Sequence, residues 1–355
     1  MNYAKLLVIN PYGIGDVLFT TPVIRNLRLA FPQASIAYLA NGRTAEFLKF
    51  NGDIAKIFVY DRDEFVKAFR RSPLAFVQKW MALFNDVRGF GFDVVFDYSL
   101  NGTFGFLAAA CGIKKRIGFD YRGRGKFLNH KVPLAGFEDR HVVDYFLDLL
   151  KFVDAPAKDR SLRLDVPQAD IRWAREWIGR AGIDARKPLV AVFPGGGASW
   201  GAAARFRLWG GANYAQLTDK IIENYDAAVI LMGDSQDIPL CREVCSLAQF
   251  PLYSAAGQTS LLGLAALFKQ CRAAVINDAG AVHVAVASGT KAISIYGPVD
   301  PNVYGPYPPA EHMKVQKGLA CQPCYRRFRM PPCSHISCLR DLSVDDVYRK
   351  VQEIL

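Results

Sequence analysis

The sequence predicts an α/β protein of two doubly wound, Rossmann-like domains facing each other across a cleft. Three observations carry this. Short β-branched apolar runs alternate with helical periodicity through the first 150 residues, as βαβ units require. The pattern breaks at a charged stretch and begins again near Leu189. A chain of 355 residues, 51% hydrophobic and 22% charged, suits two soluble domains of ordinary size.

Lys5–Asn10 (KLLVIN) reads as a first strand, followed by the glycine turn Pro11–Asp16 and a helical pattern from Val17 to Phe31. Strands at Ser35–Ala40 and Ile54–Tyr60 follow at βαβ spacing, and Phe92–Tyr98 (FDVVFDY) reads as a buried fourth. Ile171–Gly182 is a charged helix that ends on Gly182, Asp184 and Pro188. Leu189–Phe193, Ala227–Met232, Ala273–Asn277 and Lys291–Tyr296 then repeat the architecture. The expected division is a first domain over 1–165, a connection over 166–188 and a second domain over 189–340. The second carries a cysteine-rich loop at 321–338, and a C-terminal helix over 341–355 packs back on the first.

Lys and Arg number 44 against 33 Asp and Glu, so the net charge of +11 attracts polyanions such as nucleic acid, anionic lipid or phosphorylated glycan. A chain this long buries about 75% of the surface its unfolded form exposes, so the core needs no disulfide or metal. The first ten residues hold one Lys and a four-residue apolar run, too short for a signal-peptide core. No run approaches the roughly 20 apolar residues of a membrane span. The expectation is a cytoplasmic protein, soluble or peripheral at a membrane, with reduced or metal-bound thiols.

Four segments could carry chemistry. Gly13, Gly15 and Asp16 lie between the first strand and its helix, where backbone amides can approach a phosphate or sugar. A dinucleotide site is disfavoured: Leu18 stands near the place of a third glycine, and the second strand closes on Leu39, Ala40 and Asn41 rather than an acid. Taken alone, Asp16 reads first as a helix cap. Pro194-Gly195-Gly196-Gly197 lacks the Gly-Lys-Ser/Thr of a Walker A loop, so it is either a phosphate pocket or a plain turn. Arg205 and Arg207, before Trp209, either serve a diphosphate or form a solvated face. Asn277-Asp278-Ala279-Gly280-Ala281-Val282-His283 puts amides, a carboxylate and an imidazole at one helix start, an anion site in which His283 alone would read as a core residue. Tyr296–Pro301 is turn punctuation after the next strand.

Taken together, these segments resemble the ADP-heptose:lipopolysaccharide heptosyltransferases of glycosyltransferase family 9, nearly end to end. The carriers are INPYGIGDVLFTTPVIRNLRLAFP, RIGF at Arg116–Phe119, RHVVDYFLDLL at Arg140–Leu150, FPGGG, and NDAGAVHVAVASGTKAISIYGPVDPNVYGP at Asn277–Pro306, the most specific. The resemblance implies a GT-B fold, with the acceptor on the N-terminal domain and the nucleotide-sugar on the C-terminal one. It implies inverting transfer of heptose from ADP-heptose to a lipopolysaccharide inner-core or related glycan acceptor, with no cofactor for catalysis. Asp16 matches the general base. Asp278 to His283 matches a D-x-G-x-x-H element that holds the donor diphosphate through main-chain amides, with Gly195 and Gly196 beside it. Asp237 falls where the family usually has a ribose-binding Glu. Arg207 stands where the family often has Lys two residues before a Trp, and an insert at Gly201–Arg205 intervenes.

Between Ala110 and Lys131, seven basic residues (Lys114, Lys115, Arg116, Arg122, Arg124, Lys126, Lys131) face one acid, Asp120, a balance of +6. Lys115, Arg116, Arg122 and Arg124, with Gly13 and Gly15, are the expected contacts for an anionic glycolipid acceptor at the inner-membrane surface; the alternative is a solubilising patch. Cys321-x2-Cys324-x8-Cys333-x4-Cys338 has thiols enough for a structural Zn or Fe, or holds reduced free thiols. Family members often carry such a stretch, and a protein-modifying branch holds iron with four cysteines at a different spacing. Cys111, Cys241, Cys245 and Cys271 are expected in the core. Two alternatives stand beside heptose transfer. One is a different nucleotide-sugar or a protein acceptor. The other is a nucleic-acid-binding protein with a four-cysteine zinc module, which leaves both glycine-loop domains unexplained and is not preferred.

Overall fold

The computed structural model describes residues 3–197 and 204–355. The chain divides into two compact units, Met1–Ser161 and Leu162–Leu355. The helix Gln168–Arg180, inside the expected connection, belongs to the second unit, where Trp173 packs against Gly263.

In the first unit the strands are β1 (Lys5–Ile9), β2 (Ser35–Ala40), β3 (Lys56–Val59), β4 (Val94–Asp97), β5 (Lys115–Tyr121) and β6 (His130–Leu134). They form one parallel six-stranded sheet in the order β3-β2-β1-β4-β5-β6. β1, β2 and β4 are buried almost throughout, as strands covered on both faces must be. The helix expected over Val17–Phe31 is two, Ile14–Leu18 and Thr21–Ala30. Pro22 has no N–H to continue the first helix, and the Thr20 and Thr21 hydroxyls donate to the Val17 and Leu18 carbonyls at 2.6 and 2.7 Å.

The second unit holds β7 (Leu189–Phe193), β8 (Ala228–Leu231), β9 (Tyr253–Ser254), β10 (Ala273–Asn277), β11 (Lys291–Ile295) and β12 (Met313–Val315). Its parallel sheet runs β12-β11-β10-β7-β8-β9, the same 3-2-1-4-5-6 winding. The C-terminal helix Val344–Gln352 corrects an expectation: instead of returning to the first unit, it buries Val347 and Val351 in the second unit's core with Leu217, Ile221 and Ile293. The reason lies in its sequence. A capping box at Ser343 and Asp346 starts it, and the apolar stripe that follows matches the face left open on that sheet. Each sheet has one point where the winding reverses, between β1 and β4 and between β7 and β10. Ligands of such sheets bind beyond the carboxyl ends of the strands flanking that point.

Candidate active site

At the first reversal, Ile9 of β1 sits beside Asp97 of β4. The turn leaving β1 is tied to itself: Asn10 Nδ2 donates to the Asp16 carbonyl at 2.9 Å, and the Gly13 N–H donates to the Asp16 carboxylate at 3.2 Å. Asp16 therefore caps its own short helix, as the simplest expectation had it, while its side chain stays on the exposed surface. Gly13 has an extended backbone open to any residue, and an added Cβ would come 3.4 Å from the Asp16 carboxylate. Gly15 lies in the first turn of that helix.

Asp97 is 4% exposed, and burial pushes its carboxyl up to about 6 even though it accepts the Ser99 N–H at 2.9 Å. Tyr12 reaches over from the β1 turn and donates its hydroxyl to the Ser99 carbonyl, and Asn41 Nδ2 donates to the Tyr12 carbonyl. Burial of the phenol, then the Asp97 and Asp16 carboxylates, push Tyr12 up to about 12, against the opposing charges of Arg124 and Arg62. This reversal point thus gathers two carboxyls, a phenol and the charge of Arg124.

The other expected acceptor residues diverge in role. Arg116 is tied to the protein's own backbone, donating to the Phe127 and Ile113 carbonyls at 2.6 Å each. Lys115 donates to the Tyr3 hydroxyl at 2.9 Å. Arg122 and Arg124 are exposed and lie over the Tyr121 ring, 4.9 and 5.5 Å from its centroid.

At the second reversal, Gly195, Gly196 and Gly197 follow β7, while Asp278 follows β10. A Cβ at Gly195 would overlap the Asp237 carboxylate, which would have to move aside. Asp237 is held by the Asp234 N–H at 3.0 Å, and burial, then Asp234, raise its carboxyl above the ordinary range. Arg207 and Asp278 are 8% and 5% exposed and paired, Nε to Oδ2, at 3.2 Å. Burial raises Asp278 and the guanidinium partly offsets it. Arg207 arrives there because Trp209 is anchored, its Nε1 donating to the Leu342 carbonyl at 2.9 Å and its ring packed on Tyr214. Most of the Gly201–Arg205 insert lies outside the described residues.

Asp278 leads into the helix Gly280–Ala287, whose N-cap is Ala279 in an extended conformation with no side-chain cap. An alanine cap leaves the first-turn amides without the side-chain acceptor that Ser or Asp would bring, and the helix end carries partial positive charge. Ala281 and His283 are buried in this helix, and Gly280 opens it. Asn277 Nδ2 donates to the Pro194 carbonyl and locks the two loops together, while its Oδ1 is buried with no partner among the described residues. Together these groups offer amides, a guanidinium and a hydrogen-bond acceptor at one place, the chemistry that holds a diphosphate and its leaving-group charge.

The cysteine expectation is not supported. Among the described residues no group of three or more His, Cys, Asp or Glu is arranged to hold a metal. Cys338 is drawn into the apolar core, and burial, then the neighbouring thiols, push it up to about 11; burial likewise raises Cys324. Of the four cysteines expected in the core, Cys241 and Cys271 are buried, Cys111 is half-buried and Cys245 is exposed. Tyr12 and Asp97 were missed in the sequence reading. The signal available for Asp97 was its place as an acid at the carboxyl end of a buried strand.

Residues 80–333 match the family described as Glycosyltransferase family 9 (heptosyltransferase). The chain is 32% identical over 314 residues to lipooligosaccharide heptosyltransferase 2 of Haemophilus ducreyi, covering 85% of this chain and 86% of that one. Among solved structures, the glycosyl transferase family 9 protein of Veillonella parvula superposes with a TM-score of 0.83 at 19% identity, covering 100% and 98% of the two chains. E. coli heptosyltransferase WaaC with ADP gives 0.72 at 17% identity, covering 99% and 100%. The fold is the GT-B type these enzymes share. With the family matched across most of its length, the chain belongs to glycosyltransferase family 9 and is a glycosyltransferase.

Proposed function

We propose that the protein transfers heptose, with inversion, from ADP-heptose to an anionic glycolipid acceptor of the lipopolysaccharide inner core, working in the cytoplasm at the inner-membrane surface. The observation that carries this is the second unit's reversal point, where the glycine loop, the buried Arg207–Asp278 pair and the uncapped start of Gly280–Ala287 meet. Those are the parts of a nucleoside-diphosphate site in a protein without a Walker A loop. The names of its relatives, lipooligosaccharide heptosyltransferase 2 among them, and the ADP held by one structural neighbour supply the sugar, the base and the acceptor class.

In this reaction an acceptor hydroxyl attacks the anomeric carbon, the bond from that carbon to the diphosphate oxygen breaks, and ADP leaves. Asp16 takes the hydroxyl proton as the new bond forms, help worth about 10² to 10⁴ in rate. Arg207 and the amides of Ala279, Gly280 and Ala281 hold the charge that develops on the diphosphate, with His283 behind them. Gly195 and Gly196 let the backbone approach it, and Asp237 takes the ribose. Arg122 and Arg124 draw the acceptor's phosphates and carboxylates. Lys115 and Arg116 are engaged with Tyr3 and with the Phe127 and Ile113 carbonyls, and add their charge to that basic stretch.

A melting panel with ADP, UDP, GDP and NAD tests the donor. A ligand at 100 times its dissociation constant adds about 2.7 kcal/mol of stability. The expected result is stabilisation by ADP alone. A response to UDP or GDP without ADP overturns the ADP-heptose assignment, and silence toward all four overturns the nucleotide site.

A further inference from the structure

Among the described residues, the two most exposed large apolar side chains, Leu74 and Phe69, are at neither reversal point. They lie on the hairpin formed by the helix Arg62–Arg71 and the 18-residue helix Pro73–Phe90. Phe65, Phe76 and Trp80 pack between the helices, with Phe65 5.0 Å from Trp80. That accounts for the inner faces. The outer faces are apolar too: Val66 is 39% exposed, Phe69 62%, Leu74 66%, Val77 52% and Met81 48%. Phe69 and Leu74 exceed every other large apolar side chain among the described residues. Leu74, Val77 and Met81 recur at i, i+3 and i+7 and so line one stripe, while Val66 and Phe69 share a face of the preceding helix. Phe69 meets Phe76 of the second helix edge to face, with ring centroids 5.5 Å apart, so its helix is held against the second one at this end.

A surface helix that is apolar on both faces needs a second apolar environment. No helix of the described residues is long and apolar enough to cross a membrane, so that environment lies against the helix rather than around it. The charge pattern selects it. From Phe65 to Asn85 there are four basic residues, Lys67, Arg70, Arg71 and Lys79, and no acid. Lys67 and Lys79 are spent on Glu64, at 3.1 and 3.4 Å. Arg70 and Arg71 are exposed beside Phe69 and Leu74. A two-fold dimer on this face would bury the arginines of both copies in an apolar interface whose Phe65 to Asn85 stretch carries no acid to pair them. Anionic headgroups above acyl chains complement both the charge and the apolar stripe.

We propose that this hairpin docks the enzyme on an anionic phospholipid bilayer, with Val66, Phe69, Leu74, Val77 and Met81 entering the headgroup layer and Arg70 and Arg71 on the lipid phosphates. It deepens the proposed function, in which the acceptor is held in a bilayer, by naming the surface that reaches it. The test is flotation of the full chain with vesicles of phosphatidylglycerol and phosphatidylethanolamine, against vesicles of phosphatidylcholine. The wild type floats with the anionic vesicles and salt weakens it. Phe69→Glu/Leu74→Glu lowers the bound fraction at least tenfold, and Arg70→Gln/Arg71→Gln, exposed changes that leave packing intact, removes the preference for anionic lipid. Transfer to a soluble, acyl-free acceptor is read separately and is unchanged in both variants, so a failure of docking and a failure of the heptosyltransferase function give different results. The proposal is overturned if the wild type does not float, if both variants float as the wild type does, or if the only effect of Phe69→Glu/Leu74→Glu is to dissociate a dimer.

Discussion

Asp97 carries a carboxyl whose folded value, about 6, lies above its ordinary 3.8 because the strand end buries it. The fold therefore holds the proton more tightly than the unfolded chain does, and this group's contribution to stability falls as pH rises from about 4 to about 6. Asp97→Asn keeps an acceptor for the Ser99 N–H and removes the titration. The variant should gain about 3 kcal/mol over the wild type at pH 8 and nothing at pH 4. Melting curves of both proteins across that range check it, and a difference constant with pH would contradict it. Asp278 is the opposite case, since its loss strands a buried guanidinium. Asp278→Ala should cost about 3 to 5 kcal/mol, and a chemical denaturation series measures it. Neither group was equally visible in the sequence. The Asp278 turn stood out through its glycine and its place at a helix start, which are local signals. The pairing with Arg207 was not readable, because it depends on Trp209 being pinned by Leu342, far along the chain.

The loop after β7 shows how one element fixes another. A Cβ at Gly195 would overlap the Asp237 carboxylate, which is itself held by the Asp234 N–H. Gly195→Ala should cost about 1 to 3 kcal/mol, as other forced overlaps do, and weaken ADP binding. Asp237→Ala in the same chain should restore most of the stability. Melting of the two single variants and the double one decides this, and additive losses would show that the overlap is not the cause. At this scale the strands were legible because a parallel sheet buried on both faces leaves near-continuous apolar runs. The break between Ile14–Leu18 and Thr21–Ala30 was announced by Pro22, a signal the periodicity of Val17–Phe31 overrode. Between a metal ligand and a reduced free thiol, the spacing left Cys338 open. Thiol spacing does bring Cys338 near Cys321, Cys324 and Cys333, but it does not show that the helix Ser337–Arg340 also buries Cys338 in the second unit's core.

Across the whole molecule, the two sheets wind in the same order and place their chemistry at the same topological position. The first unit gathers Asp16, Asp97 and Tyr12 where its winding reverses. The second gathers the glycine loop, Arg207 and Asp278 at its own reversal. The repeat of architecture near Leu189 was legible because each domain must bury its own sheet and so repeats the pattern of strand and helix. The place of the last helix was not, because the contacts of Val347 and Val351 with Leu217, Ile221 and Ile293 join residues far apart in the chain. In the proposed reaction Asp16 serves proton removal and leaves the nucleotide site untouched. Its most direct test compares wild type and Asp16→Asn for ADP affinity by calorimetry and for heptose transfer from ADP-heptose to a soluble inner-core acceptor. Equal ADP affinity, an unchanged melting temperature and transfer slower by a factor of about 10² or more are expected in the variant. Transfer at the wild-type rate in Asp16→Asn would contradict it.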